Sequence, residues 1–192
     1  MQINSEILLM LSGGLDSTGL FWKLYQNKRN VHVHHMNLKN IEKRAKAESR
    51  SVSKIIEYMS SKMQFTYSES THEYNCYNGK FLWDSDIVSF CAGMICSASP
   101  SIKYVAIGRT ATDEVQNDSP RLIRANKILS AFTDAQKIYP VQSMAKQQIY
   151  DFIPKDLRSL VWYCRTPSYQ NNIPNPCGKC ETCNTFTKLK LS

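Results

Sequence analysis

Residues 12–17, with the sequence SGGLDS, have the residue types and the order of a loop that binds phosphate. They follow a short apolar run, residues 6–11, that is typical of a buried strand, and they precede a helical pattern over residues 16–27. Glycine lets the backbone approach an anion closely, and the N–H groups at the start of a helix point toward such a ligand. The sequence therefore predicts a phosphate site, although a glycine turn with a Ser or Asp helix cap would use the same letters.

The predicted loop is not a Walker A loop, because no GK[ST] triplet follows it at the required spacing. Asp16 places an acid beside the expected anion, which makes chemical sense if the carboxylate holds Mg²⁺ or helps to hold the loop. Serine and threonine hydroxyl groups would add hydrogen-bond donors. The candidate nucleotide-binding residues are Leu11, Ser12, Gly13, Gly14, Leu15, Asp16, Ser17, Thr18 and Gly19.

Four cysteines near the C-terminal end have the spacing of a metal site. They are Cys164, Cys177, Cys180 and Cys183, and Gly178 allows a tight turn between two of them. Four thiolates satisfy tetrahedral Zn²⁺ and leave no open position, so zinc here would be structural. Unligated cysteines, an iron–sulfur cluster and a zinc-ribbon module for nucleic acid are the alternatives. The ferredoxin pattern fits less well, because the fourth cysteine lies upstream and no proline follows the last one.

The composition limits the class of protein. The chain has 192 residues, of which 42% are hydrophobic, enough for one domain with a small appendage. We expect a domain over residues 1–160 and a metal-binding tail over residues 161–192. The formal net charge of +8 favours anionic ligands, either a nucleotide or a nucleic acid, and charge alone does not choose between them. No run of about 18 apolar residues is present and the start lacks signal-peptide features, so we expect a cytoplasmic protein without a membrane span.

Apolar runs alternate with helical patterns along most of the chain, which predicts an α/β fold with a mostly parallel sheet. Along residues 83–98 the apolar spacing predicts a core-facing stripe that includes Phe90, Cys91 and Met94, with Cys91 serving packing. The predicted strands are residues 6–11, 31–36, 64–67, 104–107 and 137–141. The predicted helices are residues 16–27, 40–59, 83–98, 120–132 and 144–152, and the remainder is expected to be loop-rich.

The two ends of the chain resemble motifs of one enzyme superfamily. Residues 12–17 resemble the PP-loop of the ATP pyrophosphatases, which have an adenine nucleotide alpha hydrolase-like, Rossmann-like fold. Residues 162–165 (WYCR) and 176–183 (PCGKCETC) resemble the W-[ST]-C and CG-x-C-x-[ST]-C ending of the 7-cyano-7-deazaguanine synthases. Looser likenesses lie at residues 108–114, 119–121 and 139–146. The chain departs from the family pattern at residues 36–39 (MNLK) and 77–81 (YNGKF).

The resemblance implies cleavage of ATP between its α and β phosphates with transfer of AMP to a substrate oxygen. In this family 7-carboxy-7-deazaguanine reacts with ammonia and two ATP, and the products are 7-cyano-7-deazaguanine (preQ0), AMP and pyrophosphate. The implied cofactors are ATP, Mg²⁺ and Zn²⁺, and the implied assembly is a homodimer. The alternatives are formation of the amide, conjugation of a deazaguanine to another partner, a tRNA-modifying enzyme of the superfamily, or a nucleotide-binding protein without turnover.

Several residues take roles within that reaction. Asp16 and Ser17 belong to the loop, Lys146 is the first candidate for a cation near the phosphates, and Arg121 is the second. Asp113 and Glu114 are candidates to accept hydrogen bonds from a guanine-like base. His32, His34 and His35 could suggest a metal site, but neighbouring residues of a strand face opposite sides, so a joint site is not favoured.

Overall fold

A five-stranded parallel sheet lies at the centre of the chain. The computed structural model describes residues 5–74, 83–111 and 119–189. The strands are β1 Ile7–Met10, β2 Val31–Lys39, β3 Thr66–Glu73, β4 Tyr104–Ile107 and β5 Gln136–Ile138. They are arranged in the order β3-β2-β1-β4-β5, and each neighbouring pair is parallel. The α/β prediction is confirmed, and the order of the strands reverses between β1 and β4.

Helices connect the strands and cover both faces of the sheet. They are α1 Leu15–Gln26, α2 Ala45–Ser60, α3 Asp84–Ala98, α4 Pro120–Ser130, α5 Lys146–Phe152, α6 Lys155–Arg158 and α7 Glu181–Lys188. A small antiparallel hairpin, β6 Ser168–Gln170 and β7 Ile173–Asn175, precedes α7. Within the described ranges, no helix is both long enough and apolar enough to cross a membrane.

Two apolar clusters hold the helices to the sheet. On one face, β1 and β2 pack against α1, α2 and α5, with Phe21, Val52 and Ile149 fully buried. On the other face, β1 and β4 pack against α3 and α4 through residues such as Cys91 and Leu129. Burial of both faces explains why β1 and β4 are continuous apolar runs and not alternating ones.

The sequence misplaced several element boundaries: β2 extends to Lys39, beyond the expected residue 36, and β5 ends at Ile138, before the expected residue 141. Two further differences have a local physical reason. The helix expected at residue 40 begins at Ala45, because Asn40 accepts a hydrogen bond from the backbone N–H of Glu42 at 3.0 Å and Lys43 has a φ of 56°. Such a turn stops a helix from extending backward. Strand β3 runs to Glu73 although it was expected to end at residue 67, because its alternating polar residues carry little apolar signal.

The stripe expected along α3 is partly wrong. Cys91 is buried as predicted, but Phe90 and Met94 are 44% and 50% exposed. The buried face instead carries Cys91, Ala92 and Cys96. This helix is apolar on several sides, so the spacing alone did not single out the face that packs on the sheet.

Candidate functional site

A cleft of about 260 Å³ opens at the carboxyl ends of β1 and β4, where the strand order reverses. Ligands of open α/β sheets bind at such a switch point. Residues 11–17, except Gly13, line one side of the cleft together with Gly108, which follows β4. The first turn of α1 therefore faces the cleft with its N-terminal end.

The loop between β1 and α1 is held by its own hydroxyl groups. The backbone N–H of Ser12 donates to Ser17 Oγ at 3.2 Å, and the two serine Oγ atoms are 3.0 Å apart. Ser17 Oγ also donates to the carbonyl of Gly14 at 3.2 Å. This bonding fixes the loop before a ligand arrives, so that a bound phosphate would meet oriented donors and the positive end of the α1 dipole.

Two glycines allow this loop to pack as it does. Gly13 has a φ of 79°, and a Cβ there would lie 3.0 Å from Ser51 Oγ. At Gly108 a Cβ would lie 2.5 Å from the backbone nitrogen of Ser17 and 2.8 Å from its Cα. Strand β4 can therefore approach the first turn of α1 only because residue 108 has no side chain.

Replacing Gly108 by alanine should therefore displace the first turn of α1. We expect the free energy of unfolding to fall by about 1–3 kcal/mol, as for other overpacked sites, and ATP affinity to fall with it. Denaturant titration and isothermal calorimetry measure the two effects. Gly14→Ala is the matched control for stability, because its Cβ would meet no atom closer than 3.5 Å. Equal stability of the two variants would contradict the close approach.

Lys146 lies at the start of α5, and its Nζ is 3.1 Å from Asp16 Oδ2. The two residues are 130 positions apart in the chain, and the fold brings the predicted cation to the predicted phosphate loop. Both side chains are about four-fifths buried, so the pair is only partly screened by solvent. Asp16 lines the cleft, and Lys146 contacts the cleft wall through Asp16 without lining the cleft itself.

A cluster of charged residues forms another part of the cleft wall. Arg44, Glu48 and Asp84 all line it. Arg44 forms an ion pair with Asp84, and its Nε lies 3.4 Å from Glu48 Oε1. Burial raises the pKa of Glu48 to about 7, an effect that the nearby Arg44 guanidinium only partly offsets. A carboxyl group poised near neutral pH inside a cleft is typical of a functional site.

The sequence analysis did not predict this charged wall, because its members come from separate elements. Arg44 precedes α2, Glu48 lies in its first turn and Asp84 begins α3. Asp84 also accepts a hydrogen bond from Tyr74, at the end of β3. The acidic residues in the first turns of both helices are a weak signal on their own, since such residues commonly stabilise helix starts.

Some predicted residues lie elsewhere. Thr18 is fully buried, and Gly19 packs against Ile149, where a Cβ would lie 2.3 Å from a methyl group. Arg121 stacks over the ring of Trp83, with 4.7 Å from its Cζ to the ring centroid, and donates to Ser85. None of these residues lines the cleft. Asp113 and Glu114, like residues 77–81, lie outside the described residues, and the binding and catalytic roles of the predicted residues stay predictions.

The four predicted cysteines come together in the structure. Their sulfur atoms all lie within 4.8 Å of one another, with Cys177 and Cys183 at 3.9 Å and Cys164 and Cys180 at 4.0 Å. Tetrahedral zinc with Zn–S bonds of about 2.3 Å requires sulfur atoms about 3.8 Å apart. The spacing fits one metal ion held by four thiolates. A four-iron cluster would hold its cysteines farther apart, since each binds a different iron.

Backbone hydrogen bonds prepare these sulfur atoms for a metal. The N–H of Cys177 donates to Cys164 Sγ at 3.2 Å, and the N–H of Cys180 donates to Cys177 Sγ at 3.3 Å. Hydrogen bonding, first from Thr166, lowers the pKa of the Cys177 thiol to about 5. Gly178 has a φ of 69°, which gives the tight turn between Cys177 and Cys180.

The cysteine tail contacts the phosphate loop directly. The N–H of Trp162 donates to the carbonyl of Gly13 at 2.9 Å, and Ser51 Oγ lies within 3.0 Å of both that carbonyl and the carbonyl of Leu160. Phe186 of α7 is buried in the same cluster as α1 and α5. The division at residue 160 stays a prediction, but the tail and the loop share hydrogen bonds and core contacts.

Arg165, next to the first cysteine, reaches the charged wall. Its Nη2 lies 3.0 Å from Glu42 Oε1, and the other oxygen of Glu42 lies 3.0 Å from Arg44 Nε. Tyr169 in the hairpin donates to the carbonyl of Lys43 at 2.7 Å. The metal-binding tail thus supports both the loop and the segment that carries Arg44.

The three predicted histidines do not form a metal site. His35 faces one side of β2 and bonds to the carbonyl of Leu11 and to Ser49. His32 and His34 face the other side and bond to hydroxyl groups of β3. Among the residues that the structure describes, the four cysteines are the one group of at least three metal-ligating side chains close enough to share an ion.

Similarity to known proteins is found among solved structures. No protein family and no curated protein matches the chain. Among solved structures, the chain is similar to a 4-thiouridine synthetase in complex with RNA and bound ATP, with 16% identity and a TM-score of 0.45. The match covers 97% of this chain and 50% of that one, so the chain spans half the length of the synthetase.

Proposed function

We propose that the chain is an ATP pyrophosphatase-type enzyme that transfers AMP to an oxygen of its substrate and releases pyrophosphate. The observation that carries the proposal is a single cleft lined by the loop after β1 and by a charged wall, with Lys146 paired to one of the lining residues, Asp16. Phosphate and a polar substrate would both be held there. The reaction needs both, because the substrate oxygen must reach the α phosphate while the departing pyrophosphate stays bound.

The loop side of the cleft suits the β and γ phosphates. Backbone N–H groups at the α1 start and the hydroxyl of Ser12 or Ser17 would donate to phosphate oxygens. Asp16 would hold Mg²⁺ or keep Lys146 in place, and Lys146 would balance the negative charge that grows on the departing pyrophosphate. Magnesium would bridge phosphate oxygens and supply further positive charge.

The charged wall suits a planar, guanine-like acceptor. A guanine ring offers a ring N–H and an amino group side by side, and the carboxylates of Glu48 and Asp84 can accept both. Met36 and Leu38 line the same cleft and offer an apolar surface for the ring. We therefore propose 7-carboxy-7-deazaguanine as the acceptor and 7-cyano-7-deazaguanine as the product, with ammonia as the nitrogen source.

Two adenylations would complete this conversion. The first activates the carboxylate, since AMP leaves from the acyl carbon far more readily than an oxide ion does, and ammonia then gives the amide. The second activates the amide oxygen, and loss of AMP with two protons gives the nitrile. The four thiolates would hold Zn²⁺ away from this chemistry, because a closed set leaves no position for substrate. A homodimer and a cytoplasmic location stay predictions.

Incubation with ATP, Mg²⁺, ammonium and 7-carboxy-7-deazaguanine tests the proposal. Mass spectrometry should show the nitrile, with two AMP per product, and no product without ammonium. Glu48→Gln should weaken substrate binding, whereas Glu57→Gln, farther along α2, should not. Product that stops at the amide would point to the shorter reaction. AMP release only after tRNA is added would overturn 7-carboxy-7-deazaguanine as the acceptor in favour of an RNA.

A further inference from the structure

A continuous row of hydrogen bonds joins imidazole and hydroxyl groups on the α3-facing side of β2 and β3. We call it the imidazole–hydroxyl ladder. Successive contacts measure 2.7, 2.7, 2.8, 2.9 and 2.9 Å. Its members, in order, are Thr66, His32, Ser68, His34, Ser70 and His72.

Parallel pairing of the two strands creates the ladder. The register places His32 beside Thr66 and His34 beside Ser68, so side chains at every second position meet on one face. Each imidazole then lies between two hydroxyl groups and uses both ring nitrogens. His32 and His34 are only 1% and 3% exposed, so they depend on these bonds.

The surroundings of the two buried imidazoles favour their neutral form. Burial lowers the pKa of both, and it lowers the pKa of His34 to about 4 with help from His32, His35 and His72. A neutral imidazole donates one hydrogen bond and accepts one, and a hydroxyl has one proton to donate. For Ser68 to donate to one histidine and accept from the other, His32 and His34 must carry their proton on the same kind of ring nitrogen.

Only two arrangements let every member of the ladder donate in sequence. In one, all bonds run from Thr66 toward His72, and both buried histidines carry the proton on Nε2. In the other, all bonds run from His72 toward Thr66, and both carry it on Nδ1. If one proton enters at His72, each ladder proton moves to the next member, and one proton leaves at Thr66, the second arrangement becomes the first.

The ladder runs along β2 and β3 from one end of the sheet to the other. His72 lies beside Leu38 in the register, and Leu38 and His34 line the candidate active-site cleft. At the opposite end, where β3 begins, Thr66 lines a surface depression with Asn30 and Gln64.

We propose that the imidazole–hydroxyl ladder is a proton relay that carries a proton from the end of the sheet near the cleft to the opposite end. The inference rests on the proposed function for the source of that proton. When ammonia attacks the acyl-adenylate, its nitrogen bonds to the acyl carbon and the bond from that carbon to the AMP oxygen breaks. AMP leaves with the electron pair, and the nitrogen loses one proton.

His72 Nδ1 accepts this proton in the relay. His72 Nε2 then passes its proton to Ser70, and each following member passes one on until Thr66 releases a proton to water. The number of protons in the ladder is unchanged. Adenylation itself neither releases nor consumes a proton at the attacking carboxylate, so that step does not use the relay.

The tautomers of the histidines test the ladder without any activity measurement. In ¹⁵N-histidine-labelled protein, long-range ¹H–¹⁵N spectra distinguish Nδ1–H from Nε2–H, and single substitutions assign the signals. His32 and His34 should be neutral and share one tautomer. His35 should be the Nδ1–H form, because that nitrogen donates to the carbonyl of Leu11. Opposite tautomers for His32 and His34 would overturn the relay.

Ser68→Ala breaks the ladder at its middle, and Ser68→Thr is the matched control that keeps the hydroxyl group. ATP–pyrophosphate exchange with 7-carboxy-7-deazaguanine, without ammonia, should be the same in both variants. Amide formation should fall about 10²-fold in Ser68→Ala, the scale of a lost proton-transfer group, and recover in Ser68→Thr. An unchanged rate of amide formation in Ser68→Ala would overturn the relay. Absence of exchange in the unmodified chain would instead overturn the proposed function, and the shared tautomers would still be observed.

Discussion

Replacing Cys183 by serine should remove the metal and loosen the phosphate loop at the same time. The sulfur of Cys183 lies among the four that fit one ion, and its residue is buried on α7 beside Phe186. Loss of a structural metal is among the changes that cost more than about 4 kcal/mol in the free energy of unfolding. Because Trp162 bonds to Gly13, disorder of the tail should reach residues 12–17.

Metal analysis, denaturant unfolding and hydrogen exchange measure these effects together. The unmodified chain should hold one zinc ion, and the variant should hold none after dialysis. Cys96→Ala is the matched control, because Cys96 is a buried cysteine of α3 outside the metal site. It should lose some stability but keep its zinc. A Cys183→Ser protein with full protection of residues 12–17 would contradict the link between tail and loop, and iron in place of zinc would overturn the metal assignment.

Replacing Lys146 by methionine should abolish most catalysis while the chain stays folded. Its ammonium group contacts Asp16 at the start of α1, where charge would develop in the proposed reaction as pyrophosphate departs. Removing one such group from a preorganised site typically lowers kcat by about 10²–10³-fold. Methionine keeps the length and apolar stem of lysine, so the packing of α5 on α1 should persist.

Steady-state kinetics with ATP give this effect, and circular dichroism checks the fold. The matched control is Lys155→Met at the start of α6, where the side chain is exposed and outside the cleft. We expect the control to keep the kcat of the unmodified chain. A Lys146→Met enzyme with the same kcat as this control would show that Lys146 has no part in the reaction.

The sequence predicted best where local signals are strong and buried. Strand Tyr104–Ile107 and helix α1 lie where the sequence predicted them. A short apolar run that ends at a glycine indicates a buried strand and few alternatives. The cysteine spacing predicted that four sulfur atoms would meet, since the ligands of a metal must be close together.

The sequence predicted least where function depends on distant residues meeting. Arg44 and Asp84 are 40 positions apart and share a wall only because the segment after β2 and the start of α3 meet there. The imidazole–hydroxyl ladder needs the register of β2 with β3, which no single-strand pattern contains. Strand β3 itself was placed too early, because alternation of serine with charged residues gives no apolar period.

The phosphate bond of ATP that is cleaved tests the central claim most directly. ³¹P NMR of a reaction that contains ATP, Mg²⁺, ammonium and 7-carboxy-7-deazaguanine distinguishes AMP with pyrophosphate from ADP with phosphate. We predict AMP and pyrophosphate in equal amounts, formed only when the acceptor is present and not formed by the Lys146→Met variant. ADP and phosphate as the products would contradict the assignment of residues 12–17 as a loop that retains pyrophosphate.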